Sequence, residues 1–499
     1  MKNIKPIQSI LIANRGEIAI RIARTAKKMG IVAVGIRTRK EPSAYYLSAM
    51  DKIVDFPERE FNTTAEFLDI ENLVLLAKVN KIDAIHPGYG YLSENPLFAV
   101  RCIEEGLIFI GPSPQIIKDM GDKVVAKEIA ARGNVPMLKG SDGALHNYEE
   151  VQKVAKKVGY PLIIKACTGG GGRGMRIVYE EALLKQMYIA ASSEAAIAFN
   201  NSSVFIEKYL ENPRHIEVQI LADNYGNVVH LGERECSIQR KHQKLLEEAP
   251  SSVLTEDLRK EITEAAVSLA KEAGYSSLGT VEFLLDKHMN FFFMEMNTRV
   301  QVEHPVTEMV TGLDLIELQI RVANGEKLPI TQKEIQLNGC AIECRINAED
   351  PQSDFSPSIG VVKALRLPLG DGVRVESGVV MGSEISLYFD SMIAKLIVHA
   401  TDRKTVIAHT LKALNNFHIR GVKTTIPFHK AVLHNELFIS GNFDTSFIEN
   451  DMESMVYHEK DEELVAALYI ENHYRRQNDP QENISRSVDL WKLKGKMNN

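Results

Sequence analysis

The chain has 499 residues, of which 44% are hydrophobic and 25% charged, and its formal net charge is −7. This length allows about three domains of roughly 150 residues each, and the negative charge gives no electrostatic reason to expect a nucleic acid partner. The five cysteines form no CxxC pair and the apolar N-terminal stretch is short, so we expect a cytoplasmic protein without disulfides, a zinc site or a membrane segment.

The first predicted elements form a βαβ unit. Residues 9–14 have the pattern of a buried strand, residues 17–30 carry apolar side chains at helical spacing before a glycine, and residues 31–36 form a second strand. This order predicts a parallel sheet, and without GxGxxG it gives no indication of a dinucleotide. A further helix and strand follow at 71–95, and the Pro- and Gly-containing stretch at 112–122 indicates a domain boundary.

Four consecutive glycines mark the stretch KACTGGGGRGM (165–175). Because each glycine raises the entropy cost of ordering the backbone, such a run is expected in a linker or where backbone approaches a ligand closely. The strand-like segments on both sides favour a hairpin, whose tip would offer backbone N–H groups, Lys165 and Arg173 to one anion. The sequence therefore predicts a flap over phosphates, with a plain flexible turn as the alternative.

Three further patterns describe the middle of the chain. Residues 215–223 alternate between apolar and polar side chains, which predicts a strand with one face covered and the other on a polar site. Residues 255–275 are typical of a helix, with Thr255 as N-cap. Five basic residues crowd into positions 234–244, where we expect a loop at a strand end that binds anions; a solvated charge run is the alternative. The region at 330–447 shows mostly short strand patterns.

Two carboxylates fall where a charge is costly to bury. Residues 279–299 are typical of a hairpin, and a loop at 287–290 would place Glu282 opposite Glu295. Opposed acids in apolar strands repel, so a cation should lie between them or one should be protonated. With Asn297 on the same face as Glu295, the oxygen donors suit Mg²⁺. A structural acid pair bridged by a lysine is the alternative.

Together these stretches resemble the biotin carboxylase family of the ATP-grasp superfamily, over roughly residues 5–447. The resemblance implies an α/β fold, α+β in its ATP-grasp part. The segments that agree, in the family's order, are IANRGEIAIRI (12–22), HPGYGYLSEN (86–95), GDK (121–123), KACTGGGGRGM (165–175), EKYLENPRHIE (207–217), RECSIQRKHQKLLEEAP (234–250), FMEMNTRVQVEHPVTEM (293–309) and ECRINAED (343–350).

The resemblance also implies a domain organisation. We expect an N-terminal parallel-sheet domain at 1–117 and an ATP-grasp domain at 118–320, with a mobile lid that carries the glycine flap at about 135–208. A C-terminal mixed β domain follows at 330–447. Residues 451–499 extend beyond it.

ATP is the nucleotide implied. The matching positions comprise two phosphate-binding lysines, two flap glycines, the adenine pocket, neighbours of the ribose or phosphates and the acid pair: Lys123, Lys165, Gly171, Gly172, Met175, Glu207, Lys208, Leu210, His215, Gln239, His242, Glu282 and Glu295. The metal positions are Glu282, Glu295 and Asn297, for two Mg²⁺ or Mn²⁺ ions. At Thr168 the family often has glycine, which puts the closure kinetics of the flap in doubt.

The implied reaction converts ATP, bicarbonate and biotin into ADP, phosphate and carboxybiotin through carboxyphosphate. Glu303 matches the general base that takes the bicarbonate proton, and Arg345 matches the arginine that stabilises the biotin oxyanion. The bicarbonate positions are Lys244, Arg299, Gln301 and Val302, where a fork-shaped guanidinium suits a planar anion.

Partners are implied because no Met-Lys-Met biotinylation motif occurs in the chain. We expect a homodimer, biotin on a separate carrier protein, and a carboxyltransferase on another chain. A helix at 462–477 and the segment at 487–497 could dock these partners or pack on the third domain. The final acceptor, whether acetyl-CoA, propionyl-CoA, pyruvate or another oxo acid, would be chosen by the transferase.

Two other functions compete with this one. Another ATP-grasp ligase acting through an acyl phosphate would share the flap and the acids but would need neither Arg345 nor the RVQVEH stretch. A non-catalytic protein that senses nucleotides would not need Lys244, Arg299 and Glu303.

Overall fold

The computed structural model describes residues 6–57, 66–167, 174–199, 201–451 and 469. The chain divides into compact units at Met1–Met455 and Val456–Asn499, and the strands and numbered helices lie in the first. Among the described residues, no helix has both the length and the apolar character needed to cross a membrane. The sequence predictions for Thr168, Gly171, Gly172, Arg173 and the segment at 487–497 lie outside the described residues, as does the segment at 462–477 apart from Tyr469.

The N-terminal region is built on a parallel sheet, as the βαβ pattern predicts. Its elements are β1 (Ser9–Ile12), α1 (Gly16–Lys28), β2 (Val32–Arg37), β3 (Lys52–Asp55), α2 (Ile70–Val79), β4 (Ala84–His86), α3 (Pro96–Glu104) and β5 (Ile108–Phe109). The strand order is β3-β2-β1-β4-β5, with all pairs parallel. Helices cover both faces, so Ile10 and Leu11 are each fully buried in a different apolar cluster.

The stretch at 112–122, predicted only as a boundary, forms a helix. This helix is α4 (Pro114–Gly121), and α5 (Lys123–Arg132) follows it directly. Pro114 occupies the first turn, where proline needs no hydrogen-bond partner, and Ser113 caps it by accepting a hydrogen bond from the Ile116 N–H at 3.3 Å. Turn-forming residues here start a helix, and Lys123 stands at the beginning of the next one.

A small antiparallel sheet with its own core carries the glycine stretch. Its elements are α6 (Tyr148–Val158), β6 (Leu162–Ala166), β7 (Met175–Val178), α7 (Leu184–Phe199) and β8 (Val204–Lys208), in the strand order β7-β6-β8. Leu162 pairs with Val178 and Lys165 with Met175, which confirms the predicted hairpin. Apolar residues of β6, β8, α6 and α7 form one buried cluster beneath the sheet.

An eight-stranded antiparallel sheet forms the centre of the molecule. The ATP-grasp part supplies β9 (Arg214–Ala222), β10 (Val228–Arg240), β11 (Gln243–Ala249), α8 (Glu256–Glu272), β12 (Ser277–Leu285), β13 (Phe291–Asn297), α9 (His304–Thr311) and α10 (Leu315–Ala323). Helices α5 and α8 pack on this sheet through a large apolar cluster. Thr255 caps α8 by accepting a hydrogen bond from the Leu258 N–H, as predicted.

The C-terminal region continues the same sheet. Its elements are β14 (Cys340–Asn347), β15 (Glu349–Asp350), β16 (Ser356–Pro357), β17 (Gly360–Val361), β18 (Ala364–Arg366), β19 (Val373–Ser377), β20 (Glu384–Ile385), β21 (Met392–Ala400), α11 (Arg403–Asn415), β22 (His418–Arg420), α12 (Ile426–His434), α13 (Glu436–Ser440) and α14 (Phe447–Asp451). The sheet order is β13-β12-β9-β10-β11-β14-β21-β19, with Leu246 of β11 opposite Cys344 of β14. One sheet therefore joins the ATP-grasp strands to the C-terminal strands.

The basic cluster at 234–244 lies in a strand hairpin, so the predicted loop at a strand end is limited to Lys241 and His242, and the rest of the cluster is strand. Strand β10 runs on to Arg240, and the chain reverses at Lys241 and His242, which both have positive φ angles (49° and 66°). The sequence pattern did not indicate a strand here, because its polar side chains face a buried polar site and not the solvent. The same site makes the polar face of β9 as buried as its apolar face.

Glu282 pairs with Glu295 as predicted, although the hairpin loop is one residue shorter than expected. The backbone N–H of Asp286 donates to Asn290 O at 2.9 Å, so Asn290 belongs to the arm and not to the loop. A bulge between Glu282 and Phe283 absorbs the difference and restores the predicted pair.

Candidate active site

One cavity of about 910 Å³ opens between the N-terminal sheet, the small lid sheet and the eight-stranded sheet. Every site residue predicted from the sequence and described by the structure lines it: Lys123, Lys165, Met175, Glu207, Lys208, Leu210, His215, Gln239, His242, Lys244, Glu282, Glu295, Asn297, Arg299, Gln301, Val302, Glu303 and Arg345. Gly171 and Gly172 lie outside the described residues. Positions spread over more than 220 residues of sequence thus meet in one place.

Glu303, directly before α9, lies between two cations at one end of the cavity. Lys244 Nζ is 2.9 Å from its Oε1, and Arg345 Nη2 is 2.9 Å from its Oε2. Burial alone would raise the pKa of Glu303, but Lys244 and Arg345 outweigh burial and hold this pKa well below its ordinary range. The side chain is therefore a carboxylate at neutral pH.

Arg345 is fixed from behind by Glu247, which the sequence analysis missed. Arg345 Nε donates to Glu247 Oε1 at 2.6 Å, and Glu247 is fully buried. Burial would lower the pKa of Arg345, yet Glu247 and Glu303 raise it above its ordinary value. Strands β11 and β14 are neighbours, and this pairing places the acid beneath the guanidinium.

Lys244 also contacts two further acids. Its Nζ is 3.0 Å from Glu282 Oε1 and makes a short hydrogen bond to Glu217. Arg234 Nη2 holds the other oxygen of Glu217 at 3.0 Å and donates to Gln301 Oε1 at 2.6 Å. Glu217 and Arg234 were not predicted as site residues, although both lie in segments that stand out for their polar pattern or family resemblance.

The two opposed acids have different surroundings. Glu282 Oε1 accepts hydrogen bonds from Asn297 Nδ2 at 2.7 Å and Gln301 Nε2 at 2.9 Å, and Glu282 Oε2 is 3.1 Å from His215 Nε2. Burial would raise the pKa of Glu282, but Lys244 and His215 hold it well below its ordinary value. Within the described ranges, no donor hydrogen bonds to the carboxylate of Glu295, and burial and the charge of Glu282 raise its pKa.

This asymmetry shows that the residues fit a divalent cation. A half-buried carboxylate without a donor, facing a second carboxylate, is an arrangement that a cation stabilises. Of the two opposed acids, Lys244 contacts Glu282 and not Glu295, so the lysine-bridged alternative accounts for one acid of the pair. Asn297 Oδ1 accepts a hydrogen bond from Arg299 Nη2 at 2.9 Å, so the amide oxygen faces the guanidinium in this structure.

Three lysines surround Glu207 at the lid end of the cavity. Lys165 Nζ is 2.6 Å from Glu207 Oε2, Lys127 forms a short ion pair with the other oxygen, and Lys123 stands nearby at the start of α5. Burial would raise the pKa of Glu207, but Lys165 and Lys127 lower it to about 2. Lys127 was not predicted; its Nζ also lies 4.6 Å from the ring centre of Phe205.

Arg299 extends along the cavity wall. Its Nε donates to Glu94 Oε2 at 2.8 Å, and its Nη1 donates to the Val300 carbonyl at 3.3 Å. Glu94 was missed as a site residue, but it belongs to the HPGYGYLSEN segment. The backbone of Val302 is held by a buried lysine, Lys395, whose Nζ donates to Val302 O at 3.0 Å.

The remaining predicted residues line the lid side of the cavity. The N–H groups of Lys208 and Tyr209 donate to Lys139 O at 2.7 Å and to Pro161 O at 3.2 Å. Gln239 Nε2 donates to Cys236 O at 3.4 Å, and burial lowers the pKa of His242. Taken as a whole, the cavity offers cations for a polyanion at one end and an ionised carboxylate between two cations at the other.

Three family models match the chain in sequence order. "Biotin carboxylase, N-terminal domain" matches residues 6–117, and "Carbamoyl-phosphate synthase L chain, ATP binding domain" matches residues 122–331. "Biotin carboxylase C-terminal domain" matches residues 343–450. Together these matches span the N-terminal sheet, the lid, the eight-stranded sheet and the C-terminal helices.

Known proteins similar to the chain cover nearly all of it. The biotin carboxylase of Nostoc sp. is 50% identical over 440 residues, which are 88% of this chain and 98% of that protein. A pyruvate carboxylase subunit of Methanothermobacter thermautotrophicus is 47% identical over 92% of this chain and 94% of its own length. The biotin carboxylase domain dimer of Hydrogenobacter thermophilus 2-oxoglutarate carboxylase, solved with MgADP, ADP and bicarbonate, aligns with a TM-score of 0.88 and 46% identity, covering 91% of this chain and 100% of that one.

Proposed function

The chain belongs to the biotin carboxylase family and catalyses the first half-reaction of biotin-dependent carboxylases, and we propose how the residues of its cavity divide this work. The observation that supports these roles is the placement of Glu303 between Lys244 and Arg345, in the cavity that also contains Lys165 and the opposed acids.

ATP binds at the lid end on this proposal. Lys123 and Lys165 neutralise its phosphates, and the flap glycines Gly171 and Gly172 offer their N–H groups. Lys165 is now paired with Glu207, so the incoming phosphates would compete with that carboxylate for the ammonium group. Because the N–H groups of Lys208 and Tyr209 are already used, the adenine edge falls to other backbone groups near Leu210.

Glu282, Glu295 and Asn297 would hold Mg²⁺ or Mn²⁺, with two ions expected. When bound, the metal neutralises charge on the phosphate oxygens during phosphoryl transfer. The chain's own contribution is to hold both acids in place: Gln301 and His215 contact Glu282, and the pairing of β12 with β13 presents Glu295 opposite it. Asn297 would have to turn its oxygen away from Arg299 to join them.

Bicarbonate binds against Arg299 and Lys244, beside Gln301 and Val302. One of its oxygens attacks the γ-phosphorus, the bond to ADP breaks, and the bicarbonate proton passes to Glu303. In the structure Lys244 and Arg345 lower the pKa of Glu303 and so make it a weak base. Anions that share the charge of these two cations would weaken their effect on Glu303 and raise its basicity at the moment of reaction.

Biotin occupies the end of the cavity near Arg345. Carboxyphosphate splits into phosphate and CO₂. The biotin N1 then gives its proton to the released phosphate and forms a bond to the CO₂ carbon. Negative charge develops on the ureido oxygen, where the guanidinium of Arg345 stabilises it. Glu247 keeps Arg345 charged and aimed into the cavity throughout.

The partners are a biotin carrier protein and a carboxyltransferase on separate chains, and the protein is a homodimer on this proposal. The Methanothermobacter relative is named as one subunit of a pyruvate carboxylase, and the Hydrogenobacter structure is a domain dimer. These relatives belong to enzymes with different acceptors, so the acceptor here depends on the transferase.

A direct assay tests the proposal. ADP release by the purified chain in MgATP should rise on addition of bicarbonate, and labelled bicarbonate should appear in free biotin. Glu303→Gln should lower both signals by about 100-fold or more. Lys118→Met, at an exposed lysine of α4, should leave both unchanged. ADP release that does not depend on bicarbonate, together with no label in biotin, would refute biotin carboxylation by this cavity.

A further inference from the structure

Lys395 is a fully buried cation that does not line the cavity. It lies on β21, opposite Arg345 on β14 and opposite Glu376 on β19, so the three side chains share one face of the sheet. Burying an ammonium group is costly, and a buried ion pair by itself is weak evidence of a stabilising role. Its contacts therefore call for a functional explanation.

The Nζ of Lys395 makes three polar contacts from three parts of the chain. It donates to the Val302 carbonyl at 3.0 Å, lies 3.1 Å from Glu17 Oε1 and lies 3.5 Å from Glu376 Oε2. Burial would lower the pKa of Lys395, but Glu17 and Glu376 raise it above its ordinary value. The group is therefore charged when it holds the Val302 carbonyl.

The contact with Val302 bears directly on Glu303. The Val302 carbonyl and the Glu303 N–H belong to one planar peptide group, so fixing the carbonyl fixes the backbone that carries the Glu303 side chain. Glu303 then begins the turn into α9, with φ −80° and ψ 8°. Lys395 thus acts on the proposed base through the backbone.

The contact with Glu17 reaches a second wall of the cavity. Glu17 accepts a short hydrogen bond from the hydroxyl of Tyr89, which lines the cavity. A Cβ atom on Gly378 would lie 2.9 Å from the Glu17 backbone nitrogen, so only glycine allows the loop after β19 to approach the start of α1 this closely. This approach places Glu17 beside Lys395.

We propose that Lys395 is a positioning residue. It fixes the Val302–Glu303 turn and, through Glu17, the cavity wall that contains Tyr89, and so sets the position of one relative to the other. This inference rests on the proposed function, because it assumes that Glu303 is the base for bicarbonate. Lys395 touches no substrate; it sets the spacing between the bicarbonate site and the opposite wall of the biotin end.

Lys395→Met tests the proposal, because methionine keeps the apolar stem and removes the charged contacts. The KM for bicarbonate should rise about tenfold or more and kcat for biotin carboxylation should fall about 100-fold, whereas the KM for MgATP should change less than about twofold. The matched control is Arg259→Met, which also leaves a fully buried acid, Glu233, without its ion pair (2.9 Å), but outside the cavity. It should lower the Tm and leave every KM unchanged.

A second variant covers the case in which Lys395→Met does not fold. Glu17→Gln keeps a hydrogen-bond acceptor for Tyr89 and Lys395 and removes the charge, and it should raise the KM values for biotin and bicarbonate without changing that for MgATP. Changes in Lys395→Met or Glu17→Gln that merely parallel those of Arg259→Met, or unchanged KM values, would overturn the proposal. A wild-type protein without bicarbonate-dependent ADP release would instead refute the function itself.

Discussion

Glu282 lies directly opposite Glu295 on adjacent antiparallel strands, yet of the two carboxylates only that of Glu282 accepts hydrogen bonds from described residues. Glu282 contacts Lys244, Asn297, Gln301 and His215, whereas no donor among the described residues reaches the carboxylate of Glu295. The pair is therefore electrostatically incomplete without a cation, and this incompleteness has a measurable signature in stability.

Glu295→Gln should stabilise the metal-free protein. The folded-state pKa of Glu295 is raised by burial and by Glu282, so its ionisation at neutral pH favours unfolding, and the stability it contributes below its unfolded pKa is lost as the pH rises. In EDTA the variant should therefore have a higher free energy of unfolding than the wild type at neutral pH, and the difference should shrink as the pH falls. MgADP should raise the Tm of the wild type and have little effect on the variant. A variant that is less stable in EDTA, or that keeps the full MgADP shift, would contradict the cation site.

Glu303→Gln should lose activity without losing nucleotide binding. Removing the proton acceptor should lower bicarbonate-dependent ADP release by about 100-fold or more, and the Kd for MgADP should stay within about twofold. Lys244 and Arg345 lower the folded-state pKa of Glu303, so its stabilising contribution is present above its unfolded pKa and is lost as the pH falls. The stability difference between variant and wild type should therefore narrow at acidic pH. An equal loss of nucleotide affinity would assign Glu303 to the ATP site.

Lys127→Met should affect ATP selectively. The variant removes one of two cations that lower the pKa of Glu207 to about 2. The stability that Glu207 contributes to the fold is lost as the pH falls from its unfolded pKa to its folded pKa. Without Lys127 the folded pKa is higher, so acid unfolding should begin at a higher pH. The KM for ATP should rise about tenfold, with the KM for bicarbonate unchanged. The exposed Lys118→Met is the control. Equal changes in the KM for ATP and the KM for bicarbonate would contradict a role of Lys127 in nucleotide binding.

Arg345→Ala should separate the two halves of the reaction. Biotin carboxylation should fall further than bicarbonate-dependent ADP release, because the guanidinium stabilises charge on biotin. The variant also leaves the buried Glu247 unpaired, at a cost of about 3–5 kcal/mol, so the double variant with Glu247→Gln should restore stability while keeping the kinetic pattern. Equal losses of both activities in the double variant would assign Arg345 a structural role.

Deleting residues 455–499 should weaken association with the carrier or the transferase and leave carboxylation of free biotin intact. The first compact unit, Met1–Met455, contains every described residue of the cavity. Association can be followed by co-purification and activity by label in free biotin. If the shortened protein loses both, the segment does not act as a docking element.

The sequence was most informative where residues obey local rules. The βαβ opening, the hairpin around the glycines and the helix capped by Thr255 follow from apolar spacing and capping, and the structure confirms them. The opposition of Glu282 and Glu295 followed from period-two geometry, with a bulge correcting a misplaced loop.

What the sequence could not show depends on long-range contacts. Local patterns treat charged side chains as exposed, so they place Arg234 in a loop and Glu217 on a half-covered strand. In the structure the two residues form a buried ion pair. Glu247 and Lys127 gained their roles only when distant strands and helices brought Arg345 and Glu207 to them. Lys395 had no local signal, since its partners lie 93 or more positions away except for Glu376.

The pairing of Leu246 with Cys344 joins the strands that carry the proposed nucleotide-binding residues to the strand of Arg345 in one continuous sheet. Separating the chain between α10 and β14 would leave two unpaired sheet edges, and unpaired edge strands promote aggregation. Replacing only one of these two parts by that of another protein is therefore expected to disrupt the sheet. The strands that carry the ATP residues and the strand that carries Arg345 are therefore expected to keep or lose their structure together.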